Sequence, residues 1–405
     1  MAENKEKKVL NVPNLRFPEF QGEWQEERLA DIADLSKGIG ISKDQLSADG
    51  EPCILYGELY TKYKSETIKE VISKTNIDNT KLVKSKANDV IIPCSGETAE
   101  EIATARCVLK DDVLLGGDLN IIRLHGYDGS FMSYQLNGKR KYDIAKVAQG
   151  VSVVHLYGEH LKNIKTINPS LNEQKKIANL LSLLDERIST QNKVIEDLNK
   201  LKYAISKYLF ERKDLFENKI KLSKVAELKN GYAFQSSKYN ALGKWKILTI
   251  ANVAGERYVK TNECNCIIEI PYDIQKHQKL EANDILISLT GNVGRVSLCT
   301  EGFFLLNQRV GLLQLKVSED REFIYQVLSF HKFEESMIAC AQGAAQMNIG
   351  KGDVENYILP YSFNKENINS VASVLKNYDK YIINEINMLS MLHSQKQYLL
   401  RQMFI

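Results

Sequence analysis

A chain of 405 residues with 43% hydrophobic content is long enough for two or three cores, and 26% charged residues is ordinary for a water-exposed fold. Lys and Arg total 54 against 51 Asp and Glu, a formal charge of +3. This is only mildly basic: it permits nucleic-acid binding on one face without announcing it, and it favours neither RNA nor a membrane over DNA.

In chain order, residues 1–23 read as an N-terminal tail whose first ten residues are polar and charged, without the apolar core of a signal peptide. Residues 24–170 read as a first globular domain of mixed α/β type. Within it, 112–115 and 119–124 are predicted strands separated by a turn at Gly116-Gly117, and 131–147 has weak helical spacing. Residues 171–214 form a long predicted helix. Residues 215–362 form a second mixed α/β domain, with a strand over 310–317 and a helix over 322–337. Residues 363–405 form a second long helix. Nowhere do about 18 apolar residues run together, so no membrane span is expected and a cytoplasmic location is. The cysteines at 53, 94, 107, 264, 266, 299 and 340 read as reduced thiols. Only Cys264 and Cys266 are close, and one intervening residue is too few for a zinc knuckle, so no metal is expected.

The chain repeats itself at an offset of about 193 residues. Leu29, Ile32, Leu35, Lys37 and Gly38 line up with Leu222, Val225, Leu228, Asn230 and Gly231. Asn88-Asp89-Val90-Ile91-Ile92 matches Asn283-Asp284-Ile285-Leu286-Ile287, Gly96 matches Gly291, and Gln149-Gly150 matches Gln342-Gly343. Matched islands in one order mean duplicated domains. The unit is too long, and its copies too few, for a solenoid.

The two long helices carry the same stripe. Ile177, Leu181, Leu184, Ile188, Gln191, Ile195, Leu198, Lys202, Ile205 and Leu209 step alternately by four and three, as coiled-coil seam positions do. Adding 194 gives Val371, Leu375, Tyr378, Ile382, Glu385, Leu389, Leu392, Lys396, Leu399 and Met403. About 33 helical residues would span roughly 50 Å and are not expected to be stable alone. Packing the two stripes together, antiparallel, gives the predicted fold class: two similar globular α/β domains separated by a pair of long antiparallel coiled-coil helices, related by a pseudo-twofold repeat. One register would pair Gln191 with Lys396 and Lys202 with Glu385. Alternatively, both lysines lie at the seam edge with their ammonium groups in water.

The segments Pro13-Asn-Leu-Arg-Phe-Pro-Glu-Phe-Gln-Gly-Glu-Trp24 and Gly158-Glu-His-Leu161 resemble the specificity subunits of type I restriction-modification systems. So do Ile167-Asn-Pro-Ser-Leu-Asn-Glu-Gln-Lys-Lys-Ile177, Leu289-Thr-Gly-Asn-Val-Gly-Arg295, Leu306-Asn-Gln-Arg-Val310 and Ala341-Gln-Gly-Ala-Ala-Gln-Met-Asn-Ile349. The resemblance covers nearly the whole chain. It implies two target-recognition domains, each reading half of an interrupted site in double-stranded DNA, and two helices that set the spacing and dock partners. The implied partners are modification subunits, which methylate adenine with S-adenosylmethionine, and a restriction subunit that translocates and cleaves DNA using ATP and magnesium. No cofactor is expected on this chain. One departure stands out: Lys365-Glu-Asn-Ile368 lacks the Glu173-Gln174-Lys-Lys-Ile177 form of the first half.

The DNA contacts implied by this reading are inferred from residue type. Asn292 and Arg295 sit on a loop after a strand, and Gln308 with Arg309 offers donors for base edges or phosphate. Tyr60, Lys62, Tyr63 and Lys64 mix aromatic and basic groups, as do Arg140, Lys141 and Tyr142. Each cluster also has a plainer reading as a solvated face or core anchor. No Gly-x-x-x-x-Gly-Lys loop is present, so ATP hydrolysis by this chain is not expected. Asn168-Pro169-Ser170-Leu171 lacks the second proline and the aromatic of an amino-methyltransferase loop and reads as a helix start. Gly291-x-x-Gly294 is too short for a dinucleotide cradle, and His155 and His160 do not suggest a metal site. The competing class is a non-catalytic coiled-coil scaffold that binds proteins. An enzyme acting on nucleic acid ranks third.

Overall fold

In a computed structural model the described residues are 11–150, 153–317, 320–342 and 347–405. Gly343, matched above with Gly150, and the rest of 343–346 lie outside them. The chain divides into two compact units: one runs to Asn192 and resumes over Asn387–Ile405, and the other is Lys193–Ile386. Each unit therefore holds one repeat's sheets together with part of both long helices.

The matched Asn-Asp islands show why the repeats share a frame. Asn88 and Asn283 take positive φ, 86° and 67°, a conformation asparagine tolerates better than most residues. The next aspartate ties down the turn: Asp89 accepts the Lys86 N–H and Asp284 the Glu281 N–H, both at 2.8 Å. The apolar runs that follow become the strands Asp89–Pro93 and Ile285–Ser288, buried along their whole length. In the first unit the order across the sheet is Ala33–Lys37, Leu119–Leu124, Asp89–Pro93, Arg106–Val108 and Thr67–Ile68. In the second it is Ala226–Asn230, Val310–Leu315, Ile285–Ser288 and Val296–Leu298. A further small sheet in each pairs Gln25–Arg28 with Lys165–Asn168, and Asn218–Lys221 with Ile358–Tyr361.

One local expectation is refined and another corrected. The strands expected on either side of Gly116-Gly117 are present as Leu114–Leu115 and Leu119–Leu124, and they lie in different sheets. The former pairs with Glu51–Ile54 and Val83–Lys84, the latter with Ala33–Lys37 and Asp89–Pro93, so Gly116-Gly117 turns the chain from one sheet into the other. The helices expected over 131–147 and 322–337 are each broken in two, as Gly129–Asn137 with Lys141–Val147 and Arg321–Leu328 with His331–Ala341. Gly138 closes the first by donating to the Tyr134 carbonyl, and Phe330 breaks the second with an extended ψ of 137°.

The sheet-to-sheet corner leaves no room for a side chain at the matched glycines. A Cβ on Gly38 would lie 2.0 Å from the Gly116 carbonyl oxygen, and one on Gly231 would lie 2.1 Å from that of Asn307. Both obstacles are backbone, so neither can swing away. We expect Gly231→Ala to lower stability by about 1–3 kcal/mol or more, as overpacking does, measured by urea unfolding. An unchanged midpoint would show that the corner yields.

The long helices run over Leu171–Glu211, 41 residues, and Lys365–Gln402, 38 residues. Asn364 caps the second, its side chain accepting the Glu366 N–H at 2.9 Å. All of the predicted seam residues are buried or half-buried. In the first unit Ile177, Leu181, Leu184 and Ile188 share one core with Leu392, Leu399 and Met403. In the second, Ile205 and Leu209 pack on the core that holds Ile368, Val371 and Leu375. Each fully buried aliphatic side chain of this kind contributes about 1.5–3 kcal/mol. Asp185 pairs with Lys396 and Lys202 with Asp379, so one helix advances as the other retreats and the two are antiparallel.

The expected polar register is corrected. Lys396 pairs with Asp185 and Glu66 at 2.6 Å each, and Lys202 with Asp379 at 2.5 Å, in place of Gln191 and Glu385. The aspartates recur at the same offset as the lysines, which preserves the pseudo-twofold exchange. They follow Leu184 and Tyr378 on the flank of the stripe, where a short carboxylate meets the tip of a long lysine. With side chains 11% and 19% exposed, Lys396 and Lys202 are too buried to keep their charge in water, and burial of a charge requires such a partner.

The described part of the expected tail is held in place. Arg16 makes a two-pronged contact with Glu173, at 2.7 and 2.8 Å, and the Leu15 N–H donates to the Gln402 carbonyl. This also accounts for the unlike helix starts. Glu173 serves Arg16 and Gln174 accepts the Asp128 N–H, whereas in the second repeat Lys365 instead donates to Asp320.

Candidate nucleic-acid interface

At one end of the second unit's main sheet four stretches are stitched together by backbone hydrogen bonds. Leu289 donates to the Arg309 carbonyl at 3.0 Å, Ile349 to Leu289 at 2.9 Å, Gly291 to Met347 at 3.0 Å and Gln308 to Tyr232 at 2.9 Å. The Ser288 hydroxyl closes the loop after its strand by donating to the Asn292 carbonyl and accepting the Arg295 N–H. Gly291 and Gly294, at φ of 71° and 81°, make the reversal possible.

The first unit repeats the frame. Cys94 donates to the Asp118 carbonyl at 2.7 Å, Leu156 to Cys94 at 2.8 Å and Gly38 to Leu119 at 2.9 Å. The Cys94 bond places Asp118 where Arg309 stands, although Asp118 takes a positive φ of 58° and Arg309 does not. The same scaffold thus presents a carboxylate in one unit and a guanidinium in the other.

The proposed contact residues fall into three groups. Asn292, Gln308 and Arg309 come together, all exposed, on the second unit's loop cluster. The Arg309 side chain has no ion pair or hydrogen bond among the described residues. Tyr60 abuts the first unit's loops, its hydroxyl donating to the Ser95 carbonyl at 3.5 Å, and burial raises its pKa so that it stays a protonated donor. Lys64 is exposed and donates to the Tyr60 carbonyl. Of the remainder, three cations are engaged elsewhere. Lys62 is held by Glu58 and Ser73 at 2.6 Å each, Arg140 by Asp143 and the Ile405 carbonyl, and Arg295 by Glu334 at 3.3 Å. Tyr63 is core, while Tyr142 is exposed. Lys141 lines a separate cavity.

Sequence reasoning missed Lys37, exposed at the end of its strand, whose ammonium lies 5.6 Å from the Tyr157 ring centroid. It also missed Asp118. The signal was present: Lys37-Gly38 had already been matched with Asn230-Gly231, and that match places Lys37 at the rim of the loop cluster.

Behind the loops, each unit joins its sheets to the helix seam through buried ionic groups. In the first, Asp185 accepts from Lys396, from the Tyr134 hydroxyl at 2.7 Å and from Ser65 at 2.9 Å. Burial pushes its pKa upward, but the Lys396 charge and the hydrogen bonds from Lys396 and Tyr134 outweigh that and hold it below the ordinary value. Glu66, more deeply buried, is raised by desolvation despite Lys396. In the second unit Arg257 bridges Glu322 at 2.6 and 2.8 Å and Asp379 at 2.8 Å, and Gln326 donates to both acids. Burial lowers the Arg257 pKa, but the bonds to Glu322 reverse this and leave it raised. No cluster of His, Cys, Asp or Glu able to hold a metal ion occurs among the described residues, and no helix there is long and apolar enough to cross a membrane.

A duplicated frame that keeps its turns and changes its exposed polar groups defines a protein of two related domains, each with its own loop cluster. The chain belongs to the family of type I restriction modification DNA specificity domains, which matches it twice, over residues 21–200 and 216–388. It is similar to the type I restriction enzyme MjaVIII specificity subunit of Methanocaldococcus jannaschii, 27% identical over 93% of this chain and 90% of that protein. The putative MjaX specificity subunit of the same organism is 24% identical over 93% and 91%. Its fold resembles the crystal structure of the type I restriction-modification S subunit from M. genitalium, with a TM-score of 0.65 and 18% identity over 97% of this chain and 99% of that one.

Proposed function

We propose that the chain reads a two-part DNA target without catalysis of its own, one part through each loop cluster. Modification subunits, and a restriction subunit where present, supply the chemistry. The observation that supports this reading most directly is that Asp118 and Arg309 accept corresponding backbone bonds, from Cys94 and Leu289, yet expose opposite charges, which gives two related frames with different preference. The antiparallel helix pair would fix the spacing between the parts. The exposed apolar side chains on the helices, such as Leu183 and Met391 in the first unit and Tyr208 and Tyr381 in the second, would dock partner subunits. S-adenosylmethionine, ATP and magnesium belong in this reading to those partners, all in the cytoplasm. Mapping methylated adenines in cells that express the chain with a modification subunit tests it. Two short motifs at a fixed separation are expected, and a single continuous motif would refute the two-part reading. Methyl transfer or cleavage by the purified chain alone would refute its non-catalytic role.

A further inference from the structure

A cavity of 400 Å³ in the first unit is lined by four cations, Arg106, Lys139, Lys141 and Arg401, and by a single carboxylate, Glu66. Glu66 is already committed to Lys396 at 2.6 Å. Arg106 is anchored rather than neutralised: it donates to the carbonyls of Tyr63, Ala105 and Leu59 at 3.0–3.3 Å. Lys139, Lys141 and Arg401 form no ion pair among the described residues. Four like charges therefore converge from a strand, a helix–helix turn and the end of the second long helix.

We propose that this cavity seats a backbone phosphate of bound DNA. Two features select a phosphodiester over an acidic peptide. Among the described residues Leu400 is the only large apolar side chain on its wall, so a peptide would find little hydrophobic anchor of the kind that gives protein interfaces their affinity. Its remaining polar lining, Thr104 included, suits phosphate oxygens. Position agrees. Arg106 pairs with Ile91 across the sheet, two residues before the end of the strand that leads into the Cys94–Gly96 side of the loop cluster. Cavity and loops thus border the same sheet, and a duplex seated on the loops would run its backbone toward the cavity mouth. The inference rests on DNA recognition by this chain, but it assigns an affinity element that is blind to sequence.

The test uses the full chain, a fluorescent duplex of random sequence and a duplex library, with the variant Lys139→Ala/Lys141→Ala/Arg401→Ala. Binding to the random duplex should weaken about tenfold at low salt, and the slope of log affinity against log salt should become shallower by about 2–3, roughly one counterion per lost contact. The order of preferred sequences should not change. Lys141→Gln alone should remove about one unit of slope. Unchanged affinity and slope, with an unchanged unfolding midpoint, would overturn the proposal. So would a reordered preference, which means base reading, or intact DNA binding with loss of a modification subunit, which means an acidic protein occupant. If the unaltered chain shows no preference in the library, target recognition fails instead, and the random-duplex comparison still decides the cavity.

Discussion

Lys396→Met should destabilise the first unit by about 3–5 kcal/mol, the cost of leaving buried carboxylates without their cation. Asp185 and Glu66 both approach the Lys396 ammonium at 2.6 Å, and Arg106, the next cation, is bonded to backbone carbonyls. The equivalent Lys202→Met should cost only about 1–2 kcal/mol, because Asp379 keeps Arg257 at 2.8 Å and Gln326 at 2.6 Å. The chain has two tryptophans, and they fall one in each unit: Trp24 is buried in the core shared with Leu399, and Trp245 lies in the second unit. A Trp245→Phe background therefore lets urea unfolding followed by fluorescence report the first unit alone.

The pH dependence carries a sign. In the unaltered chain Asp185 is held below its ordinary pKa, so its contribution is present above that ordinary value and fades as pH falls through the lowered one. Without Lys396 the two acids face each other and both are raised. A raised carboxyl costs stability as pH rises through its folded pKa, so the deficit of the variant should shrink on mild acidification. A deficit that is equal for both lysine variants, or independent of pH, would mean that these pairs do not hold the seam.

What the sequence disclosed, and what it withheld, follows from the range of each interaction. The Asn-Asp turns, the matched glycines at the sheet corner and the apolar stripes are local patterns, and a repeat prints each twice. The seam register was misjudged because the heptad assigns each residue to one side of the stripe, whereas Asp185 and Asp379 sit on its flank. Their common offset with Lys202 and Lys396 was the available clue. Arg140 and Lys62 looked like surface cations because their remote partners, the Ile405 carbonyl and Ser73, are set by folding, although Asp143 and Glu58 stand at helical spacing and were legible. Conversely, Arg106 drew no notice in an apolar strand, though three carbonyls and a cavity make it the floor of a cationic site.

Arg309→Ala should relax one position in one half of the target and leave the other half as it was. The guanidinium is exposed, and its backbone is pinned by the Leu289 N–H, so it is presented from a fixed base with its planar donors uncommitted. Such a fork matches the N7 and O6 acceptors of guanine, and loss of a two-pronged contact of that kind costs about 1–3 kcal/mol at that base alone. Gln308→Ala, on the adjoining residue, should act on the same or the next position. Asp118→Asn is the control from the other unit: it keeps a residue that tolerates a φ of 58° and changes only the charge, so any altered preference must fall in the opposite half. Library selection with each variant reads both halves at once. If Arg309→Ala lowers affinity for all sequences alike, Arg309 holds phosphate and the fork reading is wrong. If either variant alters both halves together, the two loop clusters are not independent readers, and the exchange of Asp118 for Arg309 on one frame would need another explanation.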